Sequence, residues 1–135
     1  MSVFTAAELE YLQRRTMGRL ATIGADGQPH LIPLTFHFNA EEDAIDLGGI
    51  AFASGKKWRD AQQNPKVTFL VDDASPEGAH AVEIRGDAEP HTTGGDRINP
   101  RFPSFVPEFI RIRPRRIVSW GLEGEGFQPY GRTVR

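Results

Sequence analysis

The segment from residue 54 to residue 73 constrains the fold most, because it joins a short helix to a buried strand without a linker. The helix must stop at Asn64-Pro65, since proline lacks the backbone N–H that a helix interior needs and disfavours helical geometry in the residue before it. The apolar run at residues 67–71 follows at once and indicates a buried strand. The middle of the chain therefore combines one short helix with one core strand.

The first turn of that helix carries three cations. Lys56, Lys57 and Arg59 lie close together there, and only Asp60 offsets their charge. A helix N-terminus presents unpaired N–H groups and a partial positive charge, so cations beside it favour the binding of an anion. The pattern indicates a site for a phosphate or a polyanionic tail. A solvated basic helix end is the alternative interpretation.

The rest of the chain divides into short elements separated by turn signals. Thr5 and Glu8 form a capping box for a helix over residues 5–15. Asp26-Gly27 predicts a hairpin, and Pro33 places the return strand at an edge or a bulge because it cannot donate to a ladder. The predicted strands cover residues 19–23, 29–38, 44–48, 66–72, 79–88, 109–113 and 116–120.

This order of elements predicts a mainly β protein with short helices. Short strands joined by hairpins favour a small closed barrel, because closure removes exposed edges. A doubly wound sheet is not expected, since strands and helices do not alternate. We expect one domain over residues 1–135, with its core at residues 5–121, an irregular crossing at residues 94–107 and a loosely held, glycine-rich tail at residues 122–135.

Charge and composition exclude several classes of function. The net charge is −2 and the pI is about 6.1, so no overall charge attracts nucleic acid or acidic membranes. Cysteine is absent, which removes disulfides, thiolate zinc sites and cysteine nucleophiles. No apolar run approaches the roughly 20 residues that span a bilayer, and the first residues do not resemble a signal peptide. We therefore expect a cytoplasmic protein.

The polar clusters do not predict a metal site or a hydrolase. His30 and His37 are seven residues apart on one predicted strand, so their side chains face opposite ways. The acidic turn at residues 41–46 lacks the spacing of a calcium loop. The glycines at residues 121–126 are not a phosphate loop, because no helix follows and two glutamates repel an anion. No Gly-x-Ser-x-Gly elbow is present.

A second basic cluster lies near the C-terminus, at Arg111, Arg113, Arg115 and Arg116. Arg111 and Arg113 alternate with isoleucines, so both side chains lie on one face of a strand. A solvated strand face is one interpretation. The other is that these arginines hold an anionic ligand together with the cations of the helix.

Four segments together resemble the pyridoxamine 5′-phosphate oxidase-like split-barrel superfamily, and within it the small actinobacterial deazaflavin-dependent branch. The resemblance extends over roughly residues 5–121, and the last segment is the most specific to the branch. The segments are Gly18-Arg-Leu-Ala-Thr-Ile-Gly-Ala-Asp-Gly-Gln-Pro-His-Leu-Ile-Pro33, Ser54-Gly-Lys-Lys-Trp-Arg-Asp60, Asn64-Pro-Lys-Val67 and Phe109-Ile-Arg-Ile-Arg-Pro-Arg-Arg-Ile-Val-Ser-Trp-Gly121.

The resemblance implies a six-stranded split β-barrel that forms a homodimer, with two cofactor sites in clefts between the subunits. It places the strand at residues 30–36, with Pro33 and Leu34, along a tricyclic ring. It places residues 52–59, with Ser54 and Trp58, at the ribityl and phosphate groups. Lys56, Lys57 and Arg59 would then be the phosphate-binding cations, and Arg111 and Arg113 would meet the rest of an anionic tail.

The resemblance implies a coenzyme F420-dependent oxidoreductase that transfers hydride to a small unsaturated or conjugated substrate. The alternatives are an FMN-binding split-barrel oxidoreductase, a cofactor carrier of the same fold and, more distantly, a nucleic-acid-binding barrel that stacks bases on Trp58 and Trp120. Vitamin B6 oxidation is not expected, because the chain is short. His37 and Tyr130 are candidate proton donors, alongside water.

A homodimer is also expected from the apolar residues themselves. Large apolar residues such as Phe36, Phe38, Phe69 and Leu70 give more apolar surface than one small barrel interior can cover. The expected partners are therefore a second copy of the chain and a small-molecule substrate, without nucleic acid or membrane.

Overall fold

The structure is a computed structural model, which describes residues 1–76, 78–122 and 128–135. In these residues the chain is mainly β, with two α-helices, α1 (Ala6–Gln13) and α2 (Lys56–Gln63). Single turns of 3-10 helix lie at Phe52–Ser54 and Gly95–Arg97. The strands are β1 (Met17–Ile23), β2 (Pro29–Thr35), β3 (His37–Asn39), β4 (Ala44–Leu47), β5 (Lys66–Ser75), β6 (Gly78–His91), β7 (Phe109–Trp120) and β8 (Tyr130–Thr133).

The strands form one antiparallel sheet that curls into a half-barrel. Its order is β2-β1-β5-β6-β7-β4-β3, and β8 pairs with β7 outside this path. β2 and β3 lie at opposite ends of the path, although only Phe36 separates them in the chain. The sheet therefore curls until its two ends approach each other. Pro33 lies on β2, at one end of the path, which confirms the predicted edge position.

Three predictions about the strands were wrong. The described residues form eight strands instead of six. The return strand at residues 29–38 breaks at Phe36, which is buried and packs edge-on against Phe69 with the ring centroids 5.4 Å apart. The two predicted C-terminal strands are one continuous strand, β7, which runs through Pro114 beside a bulge where Arg115 has no partner between Arg85 and Gly86 of β6. A proline is tolerated there because the ladder is already interrupted.

The apolar residues that suggested a dimer are covered largely within one chain. Phe36 and Phe69 are buried in the core, and Phe38 packs against it. The large apolar side chains that do lie exposed include Met17 and Leu31, which are on the outer face of β1 and β2. The number of phenylalanines therefore carries no argument for a second subunit.

The two ends of the chain are joined by a buried ion pair. Thr5 and Glu8 form the predicted capping box at the start of α1. The Glu8 carboxylate, which is fully buried, also accepts two hydrogen bonds from Arg132 on β8, at 2.9 and 2.6 Å. The prediction of a loosely held tail was therefore wrong for residues 130–133, while residues 123–127 lie outside the described part.

The described residues contain no helix long and apolar enough to cross a membrane. They also contain no group of three or more histidine, aspartate or glutamate side chains arranged to hold a metal ion.

We predict that Arg132→Met lowers the free energy of unfolding by about 3 kcal/mol at neutral pH, because it leaves the buried Glu8 carboxylate without its cation. Burial raises the pKa of Glu8, but the hydrogen bonds from Arg132, Thr5 and Ser119 outweigh it and leave that pKa lowered. The stabilisation is thus complete above the ordinary carboxyl pKa and is lost as the pH falls through the lowered value.

Urea denaturation of both proteins at neutral and acidic pH measures the effect. The matched control is Arg135→Met, whose guanidinium forms a partly exposed pair with Asp43 and should cost less than about 1 kcal/mol. Equal losses for the two variants at neutral pH, or a loss from Arg132→Met that does not shrink in acid, would contradict this account.

Candidate cofactor site

The start of α2 is open to an anion. Its N-cap is Gly55, which has no side chain to cap the helix, and the first turn holds no acidic residue. The chain enters from the 3-10 turn at Phe52–Ser54, and the Gly55 N–H bonds back to the Phe52 carbonyl at 3.2 Å. The first N–H groups of α2 therefore keep their partial positive charge without a side-chain cap.

Lys57 is the cation that lies over this helix end. A Cβ atom built at Gly55 would be 3.3 Å from the Lys57 Nζ, so the ammonium folds back beside the N-cap. It also lies 4.9 Å from the centroid of the Phe52 ring. Among the described residues it has no hydrogen-bond or ion-pair partner, and burial lowers its pKa. A half-buried ammonium without a counterion favours an anion beside it.

Lys56 has a different role, because its charge is already neutralised. Its ammonium is 3.0 Å from Oδ1 of Asp60, which is buried and also accepts a hydrogen bond of 3.0 Å from the Thr22 hydroxyl on β1. Burial raises the pKa of Asp60, but the hydrogen bonds from Lys56 and Thr22 outweigh it and lower that pKa. A Cβ atom at Gly24 would be 3.0 Å from the Lys56 Nζ, so α2 begins beside the β1–β2 turn.

The remaining predicted residues at and before the start of α2 divide between surface and core. Arg59 is exposed and donates to the Ser54 carbonyl at 3.1 Å, without an acidic partner among the described residues. Ser54 is exposed, and its hydroxyl donates to the Ala51 carbonyl at 3.0 Å. Trp58 is buried and packs edge-on against Phe52, with the ring centroids 5.9 Å apart. Trp58 therefore supports the site from behind and offers no stacking surface.

The free edge of β2 presents backbone groups of odd-numbered residues. The Phe36 N–H bonds to Thr16, and the Gln28 carbonyl bonds to Gly24, so even-numbered residues face β1. Because backbone groups alternate along an antiparallel strand, those of Leu31 and its odd-numbered neighbours point away from β1. Pro29 and Pro33 contribute only carbonyls there, since proline has no N–H. Leu31 is thus an isolated donor with a carbonyl on either side.

The side chains of Pro33 and Leu34 lie on opposite faces of β2. Pro33 is exposed and Leu34 is buried, as the alternation of a strand requires. The two side chains therefore do not contact one face of the same ring. A ring at this edge would meet the backbone and the side chains of Leu31 and Pro33, while Leu34 belongs to the core.

Arg111 and Arg113 are already paired with acidic residues. Arg111 donates to the buried carboxylate of Asp46 at 2.8 Å, and Arg113 donates to Glu42 at 2.7 Å and to Glu89 at 3.2 Å. Hydrogen bonds to these carboxylates raise the pKa of both arginines. The structure therefore gives these two residues a structural role on β7, apart from the start of α2. Arg115 is paired with Asp87, whereas the one side-chain hydrogen bond of Arg116 among the described residues goes to the Thr133 hydroxyl.

A cleft of about 550 Å³ opens at the other end of β2, where the strand breaks at Phe36. His37, one of the two candidate proton donors, lines this cleft together with Arg15 and Arg101. Tyr130 lies elsewhere, on β8, beside a separate cavity of about 140 Å³. The cleft lies at one end of β2, and the start of α2 lies near the other end, beside the β1–β2 turn. The strand between them is about 20 Å long.

The sequence did not indicate that Thr22 supports Asp60, because Thr22 lies in an apolar segment without a polar motif. Phe52 lies in the range placed at the ribityl and phosphate groups, but its contact with Lys57 was not predicted. The sequence did indicate part of the hydrogen-bonding pattern of β2. Pro29 and Pro33 are four residues apart, so their backbone groups point to the same edge of the strand.

Comparisons with known proteins give a family and a relative for the chain. The profile of the family described as Pyridoxamine 5′-phosphate oxidase matches residues 4–101. The chain is 42% identical over 125 residues to a 5a,11a-dehydrotetracycline/5a,11a-dehydrooxytetracycline reductase of Streptomyces rimosus, covering 90% of this chain and 86% of that protein.

Solved structures share the fold at lower identity. A conserved hypothetical protein of Mycobacterium tuberculosis has a TM-score of 0.68 and 24% identity, covering 87% of this chain and 84% of its own. The FAD binding protein of Mycobacterium smegmatis has a TM-score of 0.64 and 22% identity, covering 88% and 96%.

We predict that Lys56 contributes to stability, whereas Lys57 does not and is free for anion binding. Lys56→Ala leaves the buried Asp60 with only Thr22 and should lower the free energy of unfolding by about 1–2 kcal/mol, given the partial exposure of Lys56. Lys57→Ala removes no ion pair and should change that free energy by less than about 0.5 kcal/mol. Denaturant unfolding measures both, with Arg59→Ala as the exposed control. A larger loss from Lys57→Ala than from Lys56→Ala would refute these roles.

Proposed function

Because the chain belongs to the pyridoxamine 5′-phosphate oxidase family, we propose that it is a reductase that binds coenzyme F420 and reduces a conjugated, multi-ring acceptor. Family membership and the identity with a named reductase support an oxidoreductase. The observation that carries the site is Lys57, a half-buried cation without a partner among the described residues, at an uncapped helix N-terminus.

The phosphate of the cofactor would lie at the start of α2. The Lys57 ammonium and the first N–H groups of the helix provide a positive charge and donors at one place. Arg59 is the next exposed cation along the helix. Lys56 would contribute indirectly, because its ion pair with Asp60 fixes the helix start beside the β1–β2 turn.

The ring would lie along the free edge of β2. The polar edge of a flavin or deazaflavin ring presents an N–H between two carbonyls. The Leu31 N–H can donate to one ring carbonyl, and the Leu31 carbonyl can accept from the ring N–H. Pro29 and Pro33 leave no competing donor beside it. The edge therefore matches a two-point contact with such a ring.

The tail of the deazaflavin would be met by Arg59, which replaces Arg111 and Arg113 in this role. The earlier hypothesis assigned the tail to those two arginines, but acidic neighbours already neutralise them. An exposed arginine gains more from an added carboxylate than a paired one. Coenzyme F420 has these extra carboxylates, and FMN does not.

The cofactor supplies the hydride when it is bound, and the chain supplies position and shielding. The strand edge orients the ring, and Lys57 anchors its phosphate at the far end of β2. The cleft of about 550 Å³ at Phe36 lies at the other end and falls in the size range of small-molecule sites. The Streptomyces relative acts, by its name, on dehydrotetracyclines, so we infer a fused-ring, conjugated acceptor for this chain as well.

A flavin-dependent enzyme is the second candidate. The Mycobacterium smegmatis neighbour binds FAD by its name, and a flavin presents the same ring edge and phosphate. A carrier of the same fold without turnover would bind cofactor in the same way. Binding and turnover measurements with FMN and F420 separate the three.

We predict tighter binding of oxidised F420 than of FMN, with a preference that falls as salt rises, because the tail contacts are exposed and screened within about 8–10 Å. Lys57→Ala should weaken both ligands tenfold or more, through the shared phosphate. Arg59→Glu should weaken F420 more than FMN. Fluorescence titrations at low and high salt measure the four affinities.

The control is Arg113→Gln, which should change the F420-to-FMN ratio by less than about twofold. A protein that binds FMN more tightly at every salt concentration, with no effect of Arg59→Glu on either ligand, would replace the deazaflavin proposal with the flavin one. A larger effect of Arg113→Gln than of Arg59→Glu on F420 binding would indicate that the deazaflavin tail contacts β7 instead of α2.

We also propose that the protein is a homodimer joined through the outer face of β2, β1 and β5. Leu31 is 65% exposed and Met17 is 50% exposed on this face, and Leu70 lies beside them on β5. No second layer of the described chain covers these outward side chains. A dimer there would bring the β2 edges of two copies toward a shared cleft.

Light scattering at micromolar concentration tests the dimer. The double variant Met17→Asp, Leu31→Asp places two charges in the proposed interface and should yield a folded monomer, whereas Ile50→Asp, equally exposed but elsewhere, should leave the dimer intact. A wild-type monomer, or a variant dimer as stable as wild type, would disprove this interface.

A further inference from the structure

A groove of about 500 Å³ crosses the outer face of the sheet, beside the proposed position of the cofactor ring. One half of the groove is apolar and includes Ala21 and Ile23 of β1. The other half is cationic and includes Lys66 of β5, Arg85 of β6 and Arg115 of β7. The groove therefore fits a molecule that is apolar at one end and anionic at the other.

The pairing register brings this groove level with Leu31. Ala21 is the partner of Leu31 on β2 and also of Thr68 on β5. Thr68 in turn is the partner of Arg85 on β6. Residues paired across antiparallel strands point to one face of the sheet, so a ligand in the groove lies on the same face as the Leu31 and Pro33 side chains. It begins one strand spacing, or about 5 Å, from β2.

The cleft at Phe36 is farther from the proposed ring position. Phe36 follows Leu31 by five residues, which is about 17 Å along an extended strand. The Phe36 side chain is buried and that of Leu31 is exposed, so the two point to opposite sides of the sheet. Of these two spaces, the groove is the one that adjoins a ring on the edge of β2.

Lys66 is the cation in the groove that has no acidic partner within the described part of the chain. Asp87 is its neighbour across β5 and β6, but Asp87 is paired with Arg115. Arg85 is paired with Glu83, with Nη2 and Oε1 2.9 Å apart. The exposed ammonium of Lys66 can therefore bind an added anion without first leaving a carboxylate.

The floor of the groove consists of short side chains. Ala21 and Thr68 lie between the longer side chains of Leu31 and Arg85 in the same row of paired residues. Such a floor admits a flat ring system, and Ile23 adds an apolar contact beside it. In the proposed dimer, a second copy packed on this face would cover the groove.

We propose that the groove binds the acceptor of the reduction, that this acceptor is an acid, and that Lys66 selects it by pairing with its anionic oxygen. The inference rests on the proposed function. A hydroxyl conjugated to a ring carbonyl loses its proton readily, and fused-ring conjugated molecules often carry one. Lys66 lies two strand spacings, or about 10 Å, from β2. The acceptor thus lies over Ala21 beside the cofactor ring and extends its acidic end to Lys66.

The first test needs no cofactor. Methyl NMR of the full chain, titrated with 5a,11a-dehydrotetracycline, should shift the signals of Ala21 and Ile23 and leave that of Ala40, in the cleft at Phe36, unchanged. Lys66→Met should weaken this binding about tenfold or more, because it removes the charge and keeps a long side chain. Lys66→Arg keeps the charge and should stay within about threefold of wild type.

The control variants each remove another exposed cation that has no acidic partner in the described residues. Arg97→Met lies outside the groove and should bind the compound as wild type does. Arg101 lines the cleft at Phe36, so a larger loss from Arg101→Met than from Lys66→Met would place the acceptor there and overturn the inference. A wild type that shows no shift at Ala21, or a Lys66→Met variant with wild-type affinity, would also overturn it.

The second test uses turnover of the same compound with reduced F420 or FMN. Lys66→Met should raise KM about tenfold, while kcat and the affinity for the oxidised cofactor stay within about twofold of wild type. Lys66→Arg should restore KM. An unchanged KM in Lys66→Met would overturn this inference alone, whereas a wild type inactive with both cofactors would overturn the proposed function beneath it.

Discussion

The buried carboxylate of Asp60 holds the candidate site together. It accepts hydrogen bonds from Thr22 on β1 and from Lys56 on α2, and so fixes the start of the helix against the sheet. An unpaired buried charge would be costly, so the pair tolerates little movement of either element. Because Lys56 is occupied in this way, Lys57 is the cation left beside the open helix end. The different roles of the adjacent residues Lys56 and Lys57 thus follow from the position of Asp60.

Ion pairing with acidic neighbours also determines which of the other basic residues are free to bind an anion. Glu8 occupies Arg132, and Glu42, Asp46 and Glu89 occupy the arginines of β7. Ion pairs between residues of different helices and strands fix the positions of these elements relative to one another. Within the described part of the chain, Arg59, Lys66, Arg97 and Arg101 are exposed and have no acidic partner, and of these only Arg59 lies on α2 with Lys57. The overall charge of −2 hides this arrangement.

The sequence predicted the features that depend on near neighbours. The capping box at Thr5, the helix end at Asn64-Pro65 and the edge position of Pro33 each follow from local geometry, and all three are confirmed. The break at Phe36 could not be predicted, because it depends on packing against Phe69. The contrast between Lys56 and Lys57 likewise depends on Thr22, which is distant in sequence and carries no motif. Strand β8 was missed because glycine and charge obscure its short pattern.

The two prolines of β2 have a consequence for the protein in a crowded solution. An exposed strand edge with a regular row of donors invites another chain to extend the sheet, and such growth is the first step of fibrous aggregation. β2 lacks the N–H at Pro29 and Pro33, so an incoming strand would find every other backbone donor missing along this edge. A small flat molecule needs only the Leu31 position between them. The edge is therefore closed to a polypeptide and open to a ring.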